Sequence, residues 1–590
     1  MIKEFFSEKD YVSDTNSIIA KLNIADFVES DSNCGQNVHN DQKVSSVKNA
    51  QNAWINLGGW QSWNPGFEIE PGKKQPSLHC HVLKQWNTYI EFPGTKVRPS
   101  KNIVLGQFFT YLRWDDFYLV FVSCGNVNSK NVNPNAALPP VQFIINRKEN
   151  TVSIELCDIH KKWSKGQLQA KIEVFTAFFY FEVRDKLKEI FGSSEKGGDY
   201  SQRFDQLNFL GKRLYGWESW YNHYEKINEE LILRDLDSII KTENIISLCK
   251  NYTTNKKNVV FQIDDGWEKQ LGTWEIDENL FPHGLKSITE KIELADFVPG
   301  LWIAPIIVDL RSKSANEHPE WLLRDKNGHL VKAGFNPRWG ADGTFYCLDL
   351  SRPDVLEYLD NLMNTIINEW GFRYVKLDFL YAGMHVGNHY DGNPAYESFA
   401  NAIKLLTRRK QNDEGKPVAY LGCGTPFEMS FNDLPLSRIG CDTYEHWENK
   451  LLRFLNWNGR NEAYLNLKDT LGHALWNKII FVNDPDVIFI RKNNCSLTDD
   501  EKRLIALAAI LFGNQIMYSD DPADCTSPEE IALSKEITDL IKKYDDEEFG
   551  LQQTGTDQYK LFTRSGKYEG EIDLGSKHIC KIFGTDVQEK

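Results

Sequence analysis

Apolar positions fall into three regimes along the chain. Before about residue 200 they mark short strands. Tyr118-Leu119-Val120-Phe121-Val122 is a continuous apolar run, while Thr151–Leu156 and Ala170–Phe175 alternate apolar with polar residues, the period of a half-buried strand. Asn-rich turns such as Asn126–Asn135 separate such runs, and the pattern predicts a β-sandwich. From Arg213 onward strand-length apolar runs alternate with helical periodicity, which predicts a parallel sheet with crossover helices. Eight runs are strand-like: Leu214–Trp217, Val259–Asp264, Gly300–Pro305, Tyr374–Asp378, Val418–Cys423, Arg438–Asp442, Ile479–Asp484 and Gln515–Ser519. Between them, Val355, Leu359, Leu362, Met363, Ile366 and Trp370 recur at helical spacing, with Ser351 as the expected N-cap, Pro353 in the first turn and Gly371 as the stop. Thr498–Phe512 is a second striped helix, acidic at its start and closed by Gly513. Eight such alternations over ~300 residues predict a (β/α)8 TIM barrel. The last stretch predicts a helix over Pro528–Lys543 and a strand over Tyr559–Thr563, a small β-rich appendage. The expected organisation is therefore an N-terminal β-sandwich domain (1–200), ending near a Gly197-Gly198 linker, a barrel (201–522) and a small C-terminal domain (523–590).

Composition narrows the partners. The net charge of −15 disfavours nucleic acid, whose phosphates need basic patches. The 11 cysteines are scattered with no C-x-x-C pair, against both a disulfide framework and a zinc site, and they fit a reducing cytoplasm. Met1–Phe6 leads into charged residues rather than an apolar leader core, and no run reaches the ~18 apolar residues of a membrane span, so a cytoplasmic protein without a membrane partner is expected. Aromatic residues make up 13%, with 17 Trp. Most Trp in any protein fills cores, but flat rings also stack on sugars. One cluster is poor strand material: Trp54, Trp60 and Trp63 lie among turn formers within Trp54–Gly66. It reads as a loop that presents an aromatic ring to a ligand or to a neighbouring domain.

Chemistry collects at the predicted strand ends. Asp264-Asp265 close the second, Lys376 and Asp378 the fourth, Cys423 the fifth, Asp442 the sixth, Asp484 the seventh and Asp520-Asp521 the eighth, while Trp217 and Trp302 close the first and third. In a barrel those ends face the active site. Lys376 and Asp378, on one strand face, suit an activated carboxylate nucleophile, and equally a buried ion pair that holds the sheet together. No G-x-G-x-x-G or G-x-x-x-x-G-K-[ST] signature is present, which disfavours nucleotide binding. Carboxylates and aromatics without a metal cluster or a Ser–His–Asp order suit glycoside hydrolysis, in which one carboxylate attacks and the other donates a proton.

The ordered motifs Gly216-Trp217-Glu218-Ser219-Trp220-Tyr221, Ile263-Asp264-Asp265-Gly266-Trp267, Gly300–Pro305, Glu317–Trp321, Leu348–Ser351, Tyr374–Phe379, Leu421–Pro426, Arg438–Asp442 and Asn483–Asp486 resemble the α-galactosidases of glycoside hydrolase family 36. The resemblance runs from about Trp60 to Asp521. It implies an N-terminal β-supersandwich, a catalytic barrel, a C-terminal β domain, retention of configuration, and neither metal nor cofactor. Position by position it implies Asp378 as nucleophile and Asp442 as acid/base. It implies Asp264 and Asp265 as the pair that binds the 4- and 6-hydroxyls of galactose, with Lys376 beside them. Trp217, Trp302, Cys423 and Arg438 are implied as further pocket residues, and Trp63 as a ring reaching in from the N-terminal domain. Glu218 departs from the pattern, standing where Asn or Cys is usual, Cys441 directly precedes Asp442, and Gly334–Gly343 reads as an inserted loop. The expected substrate is a small soluble α-galactoside, with oligomeric state open. The alternatives are an α-N-acetylgalactosaminidase or α-galactosyl transglycosylase on the same fold and, in another class, a non-catalytic carbohydrate-binding protein.

Overall fold

Parallel strands with apolar side chains on both faces need cover on both sides, and a closed barrel provides it. The computed structural model describes residues 3–5, 18–28, 48–76, 97–124, 139–157, 172–192, 200–252, 259–339, 342–455 and 461–585. The expected Gly197-Gly198 linker and the Asn126–Asn135 turn lie outside them. Barrel strands one to six are Leu214–Glu218, Val259–Ile263, Val298–Ile303, Tyr374–Leu377, Ala419–Gly422 and Leu436–Arg438, each parallel to the next. The seventh is split. Val482–Asp484 pairs with the sixth; the chain then turns at Pro485 and Asp486 (φ 76°), and Val487–Ile488 pairs with the eighth, Gln515–Tyr518. The eighth pairs with the first, Leu214 opposite Gln515, so one curled parallel sheet runs from one half of the split seventh strand round to the other.

The sixth and seventh strands differ most from expectation. The sixth strand is Leu436–Arg438, not Arg438–Asp442, because its ladder ends at Arg438 opposite Asp484, where the seventh strand breaks. Ile439–Asp442 lie beyond the sheet, with Ile439 packed in the cluster shared with the N-terminal strands. The seventh starts at Val482 rather than Ile479, since Lys478 is left-handed (φ 61°) and Ile479–Phe481 pack against the N-terminal sheet. The helix Asp499–Phe512 has a full capping box from Thr498 and Glu501 and ends at Gly513. The helix Pro353–Asn364 is capped at Arg352 rather than Ser351, whose hydroxyl donates to Asp349 instead (2.6 Å).

Among the described residues, the N-terminal strands form a 10-stranded sheet whose pairings are antiparallel. Strand Phe117–Ser123 is buried on both faces, and period two sorts its residues into two cores. Leu119 and Phe121 pack with Val104, Phe143 and Ile154 inside the sheet's own core. Tyr118, Val120 and Val122 face helix Tyr180–Gly192 and Phe431, Trp476 and Phe481 of the barrel. A continuous apolar run therefore marks a sheet gripped between its own core and the barrel. Trp54–Asn56 is itself a strand, paired with Phe109–Trp114, so the loop read over Trp54–Gly66 begins only at Leu57.

That interface contains a buried carboxyl. Glu428, in the helical turn Phe427–Ser430 after the fifth strand, accepts from the Ser123 hydroxyl and from the Val141 N–H (2.9 Å). Burial pushes it up to about 7. Glu428→Ala is expected to strand both donors and to cost about 1–3 kcal/mol, seen as a lower thermal midpoint in calorimetry. An unchanged midpoint would show that water replaces the carboxyl.

Helix Pro528–Tyr544 buries Ile537 and Ile541 in the core cluster that also holds the barrel strands. Phe549–Gly555, Gln558–Thr563, Tyr568–Asp573 and Ile579–Gly584 form a separate four-stranded antiparallel sheet. It touches the N-terminal sheet through Gln553, whose carbonyl accepts from Arg113 (2.7 Å). Among the described residues, no helix is long and apolar enough to cross a membrane.

Candidate active site

The carboxyl ends of the barrel strands open into a cavity of about 310 Å³. Asp378 follows the fourth strand directly. Its Oδ2 accepts from the Trp302 indole N–H (2.9 Å), and its Oδ1 from the N–H of Phe379 (2.7 Å). Phe379 is left-handed (φ 56°), a costly conformation for an aromatic residue. The turn ends the strand there and aims the carboxylate into the cavity, with strain concentrated where a site needs a fixed geometry.

Beneath it lies a buried charge cluster. Lys376 Nζ sits 2.9 Å from Asp264 Oδ2 and 3.8 Å from Glu218 Oε2. Gln262 Nε2 donates to Asp264 (2.6 Å) and to Glu218 (3.1 Å). Burial works against the Lys376 charge, but the facing carboxyl groups, the Asp264 carboxylate first among them, keep its pKa well above the usual lysine range. Asp265 accepts from the Trp339 indole N–H (2.8 Å). Burial pushes Asp265 up to about 6, against the pull of hydrogen bonds from Glu268 and Trp339.

Asp442 lines the same cavity from the segment that leaves the sixth strand. Its side chain keeps 31% of its exposure, and it accepts from Arg438 (3.2 Å) and Asn461 (3.2 Å). Arg438 is also held by Asp484 (3.0 Å) and Asp486 (2.7 Å), so three carboxylates divide one cation. Loss of water around Asp442 and the charge of Asp486 outweigh Arg438 and push it up to about 7. Asp378 and Asp442 thus share a cavity in different electrostatic settings.

Trp63 reaches the same cavity from the N-terminal sheet. Its ring meets Phe379 at 5.3 Å and Tyr381 at 5.5 Å. The loop is laced to the turn after the fifth barrel strand: Ser62 N–H donates to the Thr425 carbonyl, Thr425 N–H to the Ser62 hydroxyl, and Phe427 N–H to the Trp60 carbonyl. Gly424 is left-handed (φ 59°), and a Cβ there would come within 3.3 Å of the Trp63 ring. Glycine at this turn therefore sets how closely the ring can approach.

Of the residues expected at the sugar pocket, Trp63, Asp264, Asp265, Trp302, Lys376, Asp378, Arg438 and Asp442 line the cavity; Trp217 and Cys423 do not. Strand alternation explains Trp217. Glu218 projects inward to Lys376, so its neighbour projects outward, stacked on Phe261 at 4.6 Å with its indole N–H on the Asp520 carbonyl. Trp220, three residues later, lines the cavity instead. Cys423 is buried below the site, where loss of water and the charge of Asp378 raise its thiol. Trp339, Tyr444 and Asn461 line the cavity and were not anticipated. Trp339 comes from the inserted segment after the third strand, whose short strands Lys332–Phe335 and Thr344–Cys347 form a hairpin. A lone Trp inside a turn-rich insertion was its only signal.

Residues 240–398 match the family model described as Melibiase. The chain is 26% identical over 180 residues to an α-galactosidase of Escherichia coli, covering 29% of this chain and 24% of that protein. It is 28% identical over 123 residues to the α-galactosidase AgaA of Geobacillus stearothermophilus, covering 20% and 16%. These matches span less than a quarter of either relative's length. Among solved structures, the α-galactosidase TtGalA of Thermus thermophilus superposes with a TM-score of 0.65 at 24% identity, over 87% of this chain and 90% of that one. The family 36 enzyme AgaA superposes with a TM-score of 0.55 at 14% identity, over 89% and 66%. The resemblance carried by the motifs is borne out, and the fold is shared with these structures over most of the chain.

Proposed function

We propose that the protein is a retaining α-galactosidase that releases terminal α-D-galactosyl residues from small oligosaccharides. The observation that carries this reading is the pair Asp378 and Asp442 in one cavity, the first held by two N–H donors and the second poised near neutrality. The Melibiase match supports it. So do α-galactosidases of the same fold solved in complex with stachyose, p-nitrophenyl α-galactoside and raffinose. The nine described cysteines are free thiols, which suits the cytoplasmic setting included in this proposal.

In this reading Asp378 attacks the anomeric carbon and the C1–O bond breaks. The electron pair leaves on the aglycone oxygen, which takes the Asp442 proton, and a β-galactosyl ester forms. Water then attacks the anomeric carbon from the opposite face as its proton passes to Asp442; the bond from C1 to Asp378 breaks, the electron pair returns to the Asp378 carboxylate, and galactose departs with its α configuration restored. Asp264 and Asp265 take the 4- and 6-hydroxyls, and Trp63, Trp302 and Trp339 wall the sugar. A retaining pair works at a separation of roughly 5–5.5 Å.

Asp442 must carry its proton when the bond breaks, and it does so below about 7. Hydrolysis of raffinose is therefore expected to fall as pH rises through about 7. p-Nitrophenyl α-galactoside, whose leaving group needs little protonation, should lose less. Asp442→Ala should cost raffinose hydrolysis about 100- to 10,000-fold and the nitrophenyl substrate's first step far less. The deciding assay compares nitrophenyl α-galactoside, α-N-acetylgalactosaminide and α-glucoside. Hydrolysis of the galactoside alone is the expected result. Preference for the acetamido sugar, or no turnover of any of the three, would overturn the specificity.

A further inference from the structure

Glu218 is a buried acid that the proposed chemistry does not use. It ends the first barrel strand, is 3% exposed, and sits within the cluster that holds Asp264. One lysine and one amide serve two carboxyl groups there. Gln262 Nε2 donates to Asp264 at 2.6 Å and to Glu218 at 3.1 Å, and Lys376 lies 2.9 Å from Asp264 and 3.8 Å from Glu218. Glu218 Oε1 is buried with no hydrogen-bond partner. A second full negative charge here would lack a cation of its own and would compete with Asp264 for Lys376 in a dry setting.

Building on the α-galactosidase reading, we propose that Glu218 is a positioning residue that works as a neutral carboxylic acid, leaving Lys376 and Gln262 committed to Asp264. The groups facing Glu218 agree. Asp264 comes from the second strand, Lys376 and Tyr374 from the fourth, and Arg438 and Asp486 from the sixth and the split seventh. Burial, with the charges of Asp264 and Asp486, outweighs the attraction of Lys376 and Arg438 and pushes the acid up to about 8. When Glu218 gives up its proton to solvent, its charge draws Lys376 from Asp264, and sugar binding weakens.

The test is the ratio of kcat/KM for p-nitrophenyl α-galactoside, Glu218→Gln over wild type, from about pH 6 to 9.5. Loss of the Asp442 proton is common to both proteins and cancels. Because glutamine stays neutral, the ratio should lie within about threefold of one below pH 7. It should climb toward tenfold per pH unit above about 8, with the change in KM. A flat ratio, or a variant crippled below pH 7, overturns the inference. Glu218→Asn, also neutral, serves in the same way if Glu218→Gln does not fold. Wild type inactive on every galactoside sinks the proposed function itself; active wild type with a flat ratio sinks only the role of Glu218.

Discussion

Asp378→Gly is expected to abolish hydrolysis of nitrophenyl α-galactoside, by roughly 10,000-fold or more, while leaving the fold intact. The carboxylate sits at the end of a strand whose core residues, Tyr374, Val375 and Leu377, are untouched by the change. Two donors, the Trp302 indole and the Phe379 N–H, lose their acceptor, but both face a cavity that water enters. The gap admits a small anion. Azide should restore turnover of the nitrophenyl substrate and yield β-galactosyl azide, because it attacks from the face Asp378 occupied and the activated leaving group needs no acid. Recovery of the α-azide, or wild-type rates without azide, would remove Asp378 from the nucleophile's role.

Asp264→Ala is expected to have the second largest effect, and it should touch both stability and recognition. The substitution leaves Lys376 buried with Glu218 at 3.8 Å as its nearest carboxyl partner. Breaking one half of a buried ion pair costs about 3–5 kcal/mol, so the thermal midpoint should fall well beyond that of Glu428→Ala. Lys376 should lose the charge that holds its pKa high. Galactoside kcat/KM should fall by about 1,000-fold or more, because a sugar hydroxyl loses a charged partner in a dry site. The discrimination between galactoside and glucoside should narrow with it. Wild-type discrimination in this variant would show that other residues read the 4-hydroxyl.

Much of the fold was legible because its signals are local. Strand-length apolar runs, the capping box Thr498–Glu501 and the stops at Gly371 and Gly513 are properties of neighbouring residues, and all were readable in order. The repeated appearance of carboxylates at strand ends was readable for the same reason, since a barrel converts order along the chain into position around a ring. Strand boundaries that depend on a partner were not. The sixth strand stops where the seventh breaks at Pro485, and Ile479–Phe481 leave their ladder to pack on a distant sheet.

By itself the sequence determined the barrel, the strand-end positions of Asp264, Lys376 and Asp378, and the family its motifs resemble. Those depend on spacing and residue type within single elements. Tertiary structure alone decided which neighbours share a face. A strand places adjacent residues on opposite sides, so Glu218 entered the charged floor and Trp217 the outer packing, and only the pairing of strands reveals which is which. It also brought Trp63 and Trp339 to the cavity from segments hundreds of residues apart, through backbone bonds at Thr425 and an indole bond to Asp265. And it set the proton affinities of Glu218, Asp265 and Asp442, because desolvation and opposing charge belong to the space around a group and not to its place in the chain.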